Sequence, residues 1–341
     1  MTDDIRFGII GCGGIGTFHA EILQSVPHAR LVAVMDILPE RAQQVSARFG
    51  VAGYDAYPEM LARTDLDVVT VCTPSGLHAE HGMQAARAGK HVLCEKPMDI
   101  FVERIDDLVA TCRTAGVVLG GIFQNRFPIA LQQTKRAIVD GWLGDIIFAN
   151  GSCLWYRTQE YYDSGAWRGT WTLDGGTLSN QGIHTIDRLV WLTGMTPTVR
   201  AAYCPTLCRD MEAEDLGIAL LTFPNGAGGV LQSTTLANPG IATNVTICGT
   251  KGTVVVEDNA VTYFQAEGAP DNLVTVERPG STGGAADPAA AWGGAHAANI
   301  EEFVAALREN REPSVNAQEA RKAVQVLNDI YRVAQLGPWA V

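Results

Sequence analysis

The chain has 341 residues, 47% of them apolar and 18% charged, which gives enough apolar material for a large core and length for two domains. A formal net charge of −12 argues against nucleic-acid and anionic-membrane partners, and no apolar run reaches the roughly 18–20 residues of a spanning helix. The acidic start, Met1-Thr2-Asp3-Asp4, carries no signal-peptide pattern, and the eight cysteines lack the spacing of a secreted scaffold or a zinc site; a cytoplasmic, metal-free protein is expected.

The first predicted strand, Ile5 to Ile10, ends in Gly11-x-Gly13-x-x-Gly16 and leads into a helix from Thr17 to Ser25. In a dinucleotide site such glycines make a tight turn, let the pyrophosphate approach the backbone, and pack helix on strand. Gly14 and Ile15 belong to the same loop, where a helix start offers free N–H groups to phosphates. A second apolar run, Leu31 to Met35, ends in Asp36, twenty residues past Gly16, where an acid accepts the ribose hydroxyls of NAD. The alternative is a solvated Asp capping a βα loop. Asp36 would repel a 2′-phosphate and apolar Ile37 and Leu38 follow it, so NAD is expected before NADP, which Arg41 would have to accommodate.

Strands and helices then alternate: a helix from Pro39 closed by Gly50, a strand Asp67 to Thr73, a helix Gly76 to Ala88, a strand His91 to Cys94, a helix Glu103 to Ala115 and a strand Val117 to Gly121. Near-continuous apolar strands in this rhythm predict a doubly wound parallel sheet covered on both faces, over residues 1–124. After a helix Ile129 to Asp140 the pattern changes. Strands are predicted at Ile146 to Trp155, Val199 to Cys204, Leu216 to Phe223, Gly228 to Leu236, Asn244 to Cys248, Thr253 to Val256 and Val261 to Gln265. These predict one large sheet of antiparallel pairs, interrupted by a single helix from Gly175 to Thr193. Pro279 to Gly294 reads as a loop and candidate lid, and helices Ala297 to Glu309 and Ala317 to Gln335 close the chain; they are counted with the second domain, residues 125–341, with packing back on the first domain as the alternative.

Several segments carry chemistry. Thr73-Pro74-Ser75-Gly76-Leu77-His78 follows a parallel strand, where ligands of open α/β sheets bind; His78 either meets cofactor or sits in the first turn of a helix. Glu95-Lys96-Pro97 follows the next strand, so Lys96 is expected at the nicotinamide half of the crevice, where it exchanges protons with a substrate hydroxyl; the bland alternative is a surface Lys paired with Glu95. Asn180, His184, Asp187 and Trp191 form one polar stripe on an otherwise apolar helix, read as groups facing an enclosed site. Trp155-Tyr156-Arg157 and Trp167-Arg168 put aromatics and arginines upstream of it, suited to sugar faces and hydroxyls or to interface packing. Arg126, at the domain junction, either contacts cofactor or braces the hinge.

With the glycine loop, the Thr73-Pro74…His78 segment, Glu95-Lys96-Pro97 and Gly182-x-His184-x-x-Asp187 in this order, the chain resembles the Gfo/Idh/MocA oxidoreductases over nearly its whole length. The resemblance implies an N-terminal NAD(P)-binding Rossmann domain and a C-terminal α+β domain whose open sheet serves oligomerisation as a dimer or tetramer. It also implies hydride transfer between nicotinamide and a secondary alcohol of a sugar, inositol or sugar acid, with Lys96 as the motif lysine and His184 as the acid/base histidine. Either of the two is the proton acceptor. Asn180 replaces the Asp of many inositol dehydrogenases; lacking a titratable group, it orients substrate and points to the branch handling sugars and their derivatives. The rival readings are a glycosidase of the same fold that retains NAD, and a non-catalytic dinucleotide or sugar sensor.

Overall fold

The computed structural model describes residues 4–277 and 288–340. Contacts divide the chain into two compact units, Met1–Gln124 with Trp292–Arg321, and Asn125–Ala291 with Lys322–Val341. In the first unit, β1 (Ile5–Ile10), β2 (Ala29–Met35), β3 (Ala52–Tyr54), β4 (Val68–Val71), β5 (His91–Cys94) and β6 (Leu119–Gly121) form a six-stranded sheet in the order β3-β2-β1-β4-β5-β6. Every pairing is parallel. Val68, Val69 and Val71 are wholly buried, which is why the strand reads as a near-continuous apolar run broken only by buried Thr70. The helices are α1 (Gly14–Ile22), α2 (Pro39–Phe49), α3 (Tyr57–Leu61), α4 (His78–Arg87) and α5 (Val102–Ala115). Strand order reverses between β1 and β4, and ligand crevices open beyond strand ends at such a switch point. The short β3 and α3 were not expected from the sequence.

The second unit begins with α6 (Ile129–Val139) and β7 (Ile146–Leu154), followed by α7 (Gln159–Asp163), α8 (Thr177–Asn180) and α9 (Ile183–Thr193). Then come β8 (Thr198–Tyr203), β9 (Leu216–Thr222), β10 (Gly228–Thr234), β11 (Asn244–Gly249), β12 (Gly252–Glu257) and β13 (Ala260–Ala266). They form a seven-stranded sheet ordered β13-β12-β11-β7-β10-β9-β8. The expected antiparallel arrangement holds except at the centre, where β7 runs parallel to β10. The helix-bearing connection after β7 carries the chain to the far edge, and the meander β8-β9-β10 returns to β7 with β10 in the same direction.

The single helix expected from Gly175 to Thr193 is two. Gly182 N–H reaches back five residues to the Thr177 carbonyl at 2.7 Å, a wide turn that separates α8 from α9. The candidate lid falls outside the described residues up to residue 287; from Pro288 the chain is helix, not loop, as the start of α10 (Pro288–Glu309). Ile300, Phe303 and Val304 of α10 share the buried core of Phe7, Ile9, Val34 and Leu93. Asn299 Oδ1 accepts the Phe123 N–H at 3.0 Å, and the Val315 carbonyl accepts the Gly121 N–H at 2.8 Å, so the exposed edge of β6 is covered. The last helix, α11 (Ala317–Ala334), brings Tyr331 onto Trp171 in the second unit, ring centroids 5.3 Å apart. Among the described residues no helix is long and apolar enough to cross a membrane.

Candidate active site

The three motif glycines meet different surroundings. Gly11 has φ +94°, and a Cβ there would lie 2.5 Å from the Cys72 carbonyl oxygen, so the loops after β1 and β4 touch at the switch point. A Cβ at Gly16 would overlap the Gly11 carbonyl oxygen. Gly13 and Gly14 have nothing within 4 Å of theirs among the described residues. Gly13 caps α1 with no side-chain hydrogen bond to the first-turn N–H groups, leaving an open cradle edged by backbone donors, with Ile15 in its first turn. That fits a pyrophosphate. Asp36 Oδ2 accepts the Cys12 N–H at 2.8 Å and Oδ1 the Leu38 N–H at 2.9 Å. The carboxylate is thereby fixed beside the glycine loop, with lone pairs to spare for ribose hydroxyls. Ile37 next to it is 79% exposed.

Thr73 and Pro74 are half-buried, Ser75 is buried, and His78 begins α4. His78, expected at the cofactor, is turned inward: its Nδ1 lies 2.7 Å from the Pro97 carbonyl and its Nε2 2.7 Å from the Thr73 carbonyl. It ties the loop after β4 to the Glu95-Lys96-Pro97 turn. Lys96 is half-buried, but Glu95 is not its surface partner. The Glu95 side chain is buried; Oε1 accepts from His19 Nε2 at 2.7 Å and Oε2 from the Lys96 N–H at 2.9 Å, with His296 Nε2 at 4.0 Å. Burial pushes this carboxyl up, but the His19 hydrogen bond and the charges of His19, His296 and Lys96 outweigh it and bring it down to about 2. His19, Glu95 and His296 present nitrogen and oxygen atoms within 4.8 Å of one another. Two ligands of one tetrahedral zinc ion stand about 3.3 Å apart; the 2.7 Å between His19 and Glu95 is a hydrogen bond.

In the second unit the aromatic and arginine residues gather on Tyr161, which no sequence motif marks. The Arg168 guanidinium lies 4.1 Å from the Tyr161 ring centroid and 4.4 Å from that of Trp167; Arg157 lies 5.4 Å from Tyr161 and 5.2 Å from Trp155. Arg209 stacks on Tyr156 at 5.5 Å and donates to the Arg157 carbonyl at 2.9 and 2.6 Å. The Tyr161 hydroxyl accepts from Arg168 Nη1 at 2.6 Å and Gln181 Nε2 at 3.1 Å. Asn180, at the end of α8, accepts from Gln181 at 2.7 Å and donates to the buried Asp174 carboxylate. Tyr156, Arg157, Trp167, Arg168 and Asn180 are thus brought into one polar and aromatic cluster, joined by Tyr161, Asp174, Gln181 and Arg209. Tyr161, Asp174 and Gln181 lie in the same stretch of chain as the cluster and Arg209 comes from beyond it, and the fold brings their side chains together.

His184 stands half-buried in the first turn of α9. The expected continuous stripe does not form, because Asn180 lies beyond the break in the helix. Asp187 is buried and paired with Arg126: Nε to Oδ2 at 2.9 Å and Nη2 to Oδ1 at 2.5 Å. Arg126 also lies 5.7 Å from the Trp191 ring centroid. The charged groups expected at cofactor and substrate therefore face each other in a closed ion pair.

Comparison with known proteins completes the picture. Residues 5–123 match the model of an oxidoreductase family with an NAD-binding Rossmann fold, and residues 131–255 match the Gfo/Idh/MocA C-terminal domain. The WlbA dehydrogenase of Bordetella pertussis, crystallised with NADH and UDP-GlcNAcA, is 35% identical and superposes with a TM-score of 0.87 over 97% of each chain. Its counterpart from Chromobacterium violaceum, crystallised with the same two molecules, is 33% identical with a TM-score of 0.88 over 98% of this chain and 95% of that one. An inositol 2-dehydrogenase of Rhizobium meliloti is 28% identical over 74% of this chain and 76% of its own length.

Proposed function

The chain belongs to the Gfo/Idh/MocA family of NAD-binding oxidoreductases, and on that footing we propose that it is an NAD-dependent dehydrogenase of a secondary alcohol on an anionic sugar. The observation that carries the substrate charge is the cluster of Arg157, Arg168 and Arg209 on aromatic faces beside Asn180, in a chain whose net charge is −12. A sugar carboxylate or a nucleotide-sugar phosphate suits such a cluster; the uronic-acid nucleotide UDP-GlcNAcA found in the WlbA structures has both. Gly11, Gly13, Gly14, Ile15 and Gly16 receive the pyrophosphate, Asp36 the ribose, and Thr73, Pro74 and Ser75 border the crevice. Bound NAD supplies the hydride acceptor. The protein's part is the proton: His184 takes it from the hydroxyl, Lys96 donates a hydrogen bond to the oxygen as negative charge develops, and Asn180 orients the sugar. A dimer or tetramer through the open sheet belongs to the same proposal, and so does a cytoplasmic setting, in keeping with eight free thiols.

The test is NADH formation over a panel of UDP-GlcNAcA, free uronic acids, neutral sugars and inositols, with NAD and NADP in parallel. Turnover of the anionic sugars with NAD, abolished in Lys96→Ala and His184→Ala proteins and reduced in Arg168→Ala, is the expected result. Turnover confined to neutral polyols would overturn the substrate class; retention of both histidine- and lysine-variant activities would overturn the roles.

A further inference from the structure

The buried triad of His19, Glu95 and His296 is not accounted for by cofactor or sugar binding. Its members come from α1, the end of β5 and α10, and all three side chains are at most 4% exposed. Glu95 is the residue before Lys96, and its Oε2 holds the Lys96 main-chain N–H at 2.9 Å. His19 Nδ1 is buried without a hydrogen-bond partner among the described residues, while its Nε2 meets Glu95. Nε2 is therefore the ring atom that donates to the carboxylate. The other titratable groups around the carboxylate are His296, Lys96 and the thiols of Cys72 and Cys94, which burial pushes well above their usual range, followed by the charge of Glu95 on Cys72 and of Asp99 and Glu95 on Cys94. Those thiols stay neutral. The result is an ionised carboxylate, locked in the core by the His19 imidazole, one residue from a half-buried lysine.

We propose that Glu95, held by His19, is the positioning residue for Lys96: it fixes the lysine's backbone and supplies the negative charge that keeps the ammonium protonated and able to donate. This rests on the reading of Lys96 as the hydrogen-bond donor to the reacting oxygen. It makes Lys96 a standing donor in place of the proton-exchanging group expected from its position after the strand. It also gives the acid of the Glu95-Lys96-Pro97 segment a reason to point inward rather than pair at the surface.

Trace acetylation of the apo chain across a pH series, read by peptide mass mapping, gives the protonation midpoint of Lys96 with exposed Lys251 as internal control. The expected result is a Lys96 midpoint lower by roughly one pH unit in Glu95→Gln, the size of shift one neighbouring charge produces. Glu95→Asp, which keeps the charge, restores most of it, and Lys251 does not move. If Glu95→Gln does not fold, His19→Ala takes its place: the carboxylate loses its donor, holds its charge less firmly, and the midpoint falls in the same direction. An unmoved Lys96 midpoint in whichever of these folds overturns the proposal. Lys96→Met in the dehydrogenase assay separates the two levels. A protein that keeps full turnover removes the proton role of Lys96 whatever the labelling shows. Lost turnover with an unmoved midpoint in Glu95→Gln removes only the part assigned to Glu95.

Discussion

Two glycines of the same motif are required for opposite reasons, and substitution separates them. At Gly16 an added methyl runs into backbone, which has no rotamer to escape through; at Gly13 it meets nothing among the described residues. Gly16→Ala is expected to cost about 1–3 kcal/mol of stability, together with cofactor binding. Gly13→Ala should melt with the parent and yet bind NADH at least about tenfold more weakly, because its methyl fills the cradle that the helix N-terminus offers to phosphate. Thermal melts and NADH fluorescence titrations check both, and equal binding by Gly13→Ala and parent would remove the pyrophosphate from that cradle. Two buried glutamates diverge in the same way. Glu95 has imidazole partners; Glu214 has an Oε1 that accepts from Leu178 N–H at 2.9 Å and Tyr331 hydroxyl at 3.0 Å, and an Oε2 with no partner among the described residues. Burial pushes the Glu214 carboxyl up to about 8. The folded chain then holds a proton that the unfolded chain releases above about 4.5, so this residue's contribution to stability is full below that pH and is lost as pH rises to about 8. Glu95 has the opposite sign, its contribution being lost as pH falls from 4.5 towards about 2. Melting curves of Glu214→Gln across neutral pH should be flatter than the parent's, with the two converging on the acid side. Parallel curves would mean that Glu214 is ionised in the fold.

Elements were legible where their chemistry repeats within a few residues. The buried valine strand Val68–Val71, the glycine loop and the start of α2 at Pro39 show in the sequence because each is decided locally. The three-residue β3, the one-turn α7 and the break between α8 and α9 do not show, since tertiary packing and not periodicity decides them. A Cβ at Gly182 would lie 2.9 Å from Ser233 Oγ and 3.1 Å from the Leu178 backbone, a constraint set by β10. The site divides on the same line. Lys96, His184 and Asp36 stand in motifs; Tyr161 and Asp174 find partners within residues 157–181, and Arg209 and His19 only when distant segments meet. The Arg126–Asp187 pair is such a meeting, linking the turn Gln124–Arg126 before α6 to the middle of α9. Removing one partner strands a buried charge, so Asp187→Ala and Arg126→Ala should each cost about 3–5 kcal/mol. The apolar double change Arg126→Met with Asp187→Leu should recover most of that loss in urea denaturation. Additive losses in the double variant would mean that the two residues act separately.

At the scale of the whole molecule, the seven-stranded sheet leaves one question that its own chain does not answer. Helices α6, α8 and α9 pack on one of its faces, closely enough that a Cβ at Gly151 would lie 2.7 Å from Thr185. The alternation of β9 follows from this: Gly217, Ala219 and Leu221 are buried, while Ile218 and Leu220 point the other way. The register carries that second face across the sheet, from Tyr203 opposite Ile218, and from Leu220 through Val230 and Asn150 to Thr246. Phe148, Tyr203, Ile218, Leu220 and Tyr263 are all exposed on that face. A soluble monomer seldom keeps so many large apolar side chains on one sheet in water. A second copy of the chain, joined through a self-complementary two-fold contact, would bury them. Leu220→Glu, placed in the middle of that face with its backbone pairing untouched, should lower the mass measured by light scattering to that of one chain of 36.5 kDa, while the first unit still binds NADH. A parent that already runs as a single chain, or a Leu220→Glu protein of unchanged mass, would move the assembly surface away from this sheet.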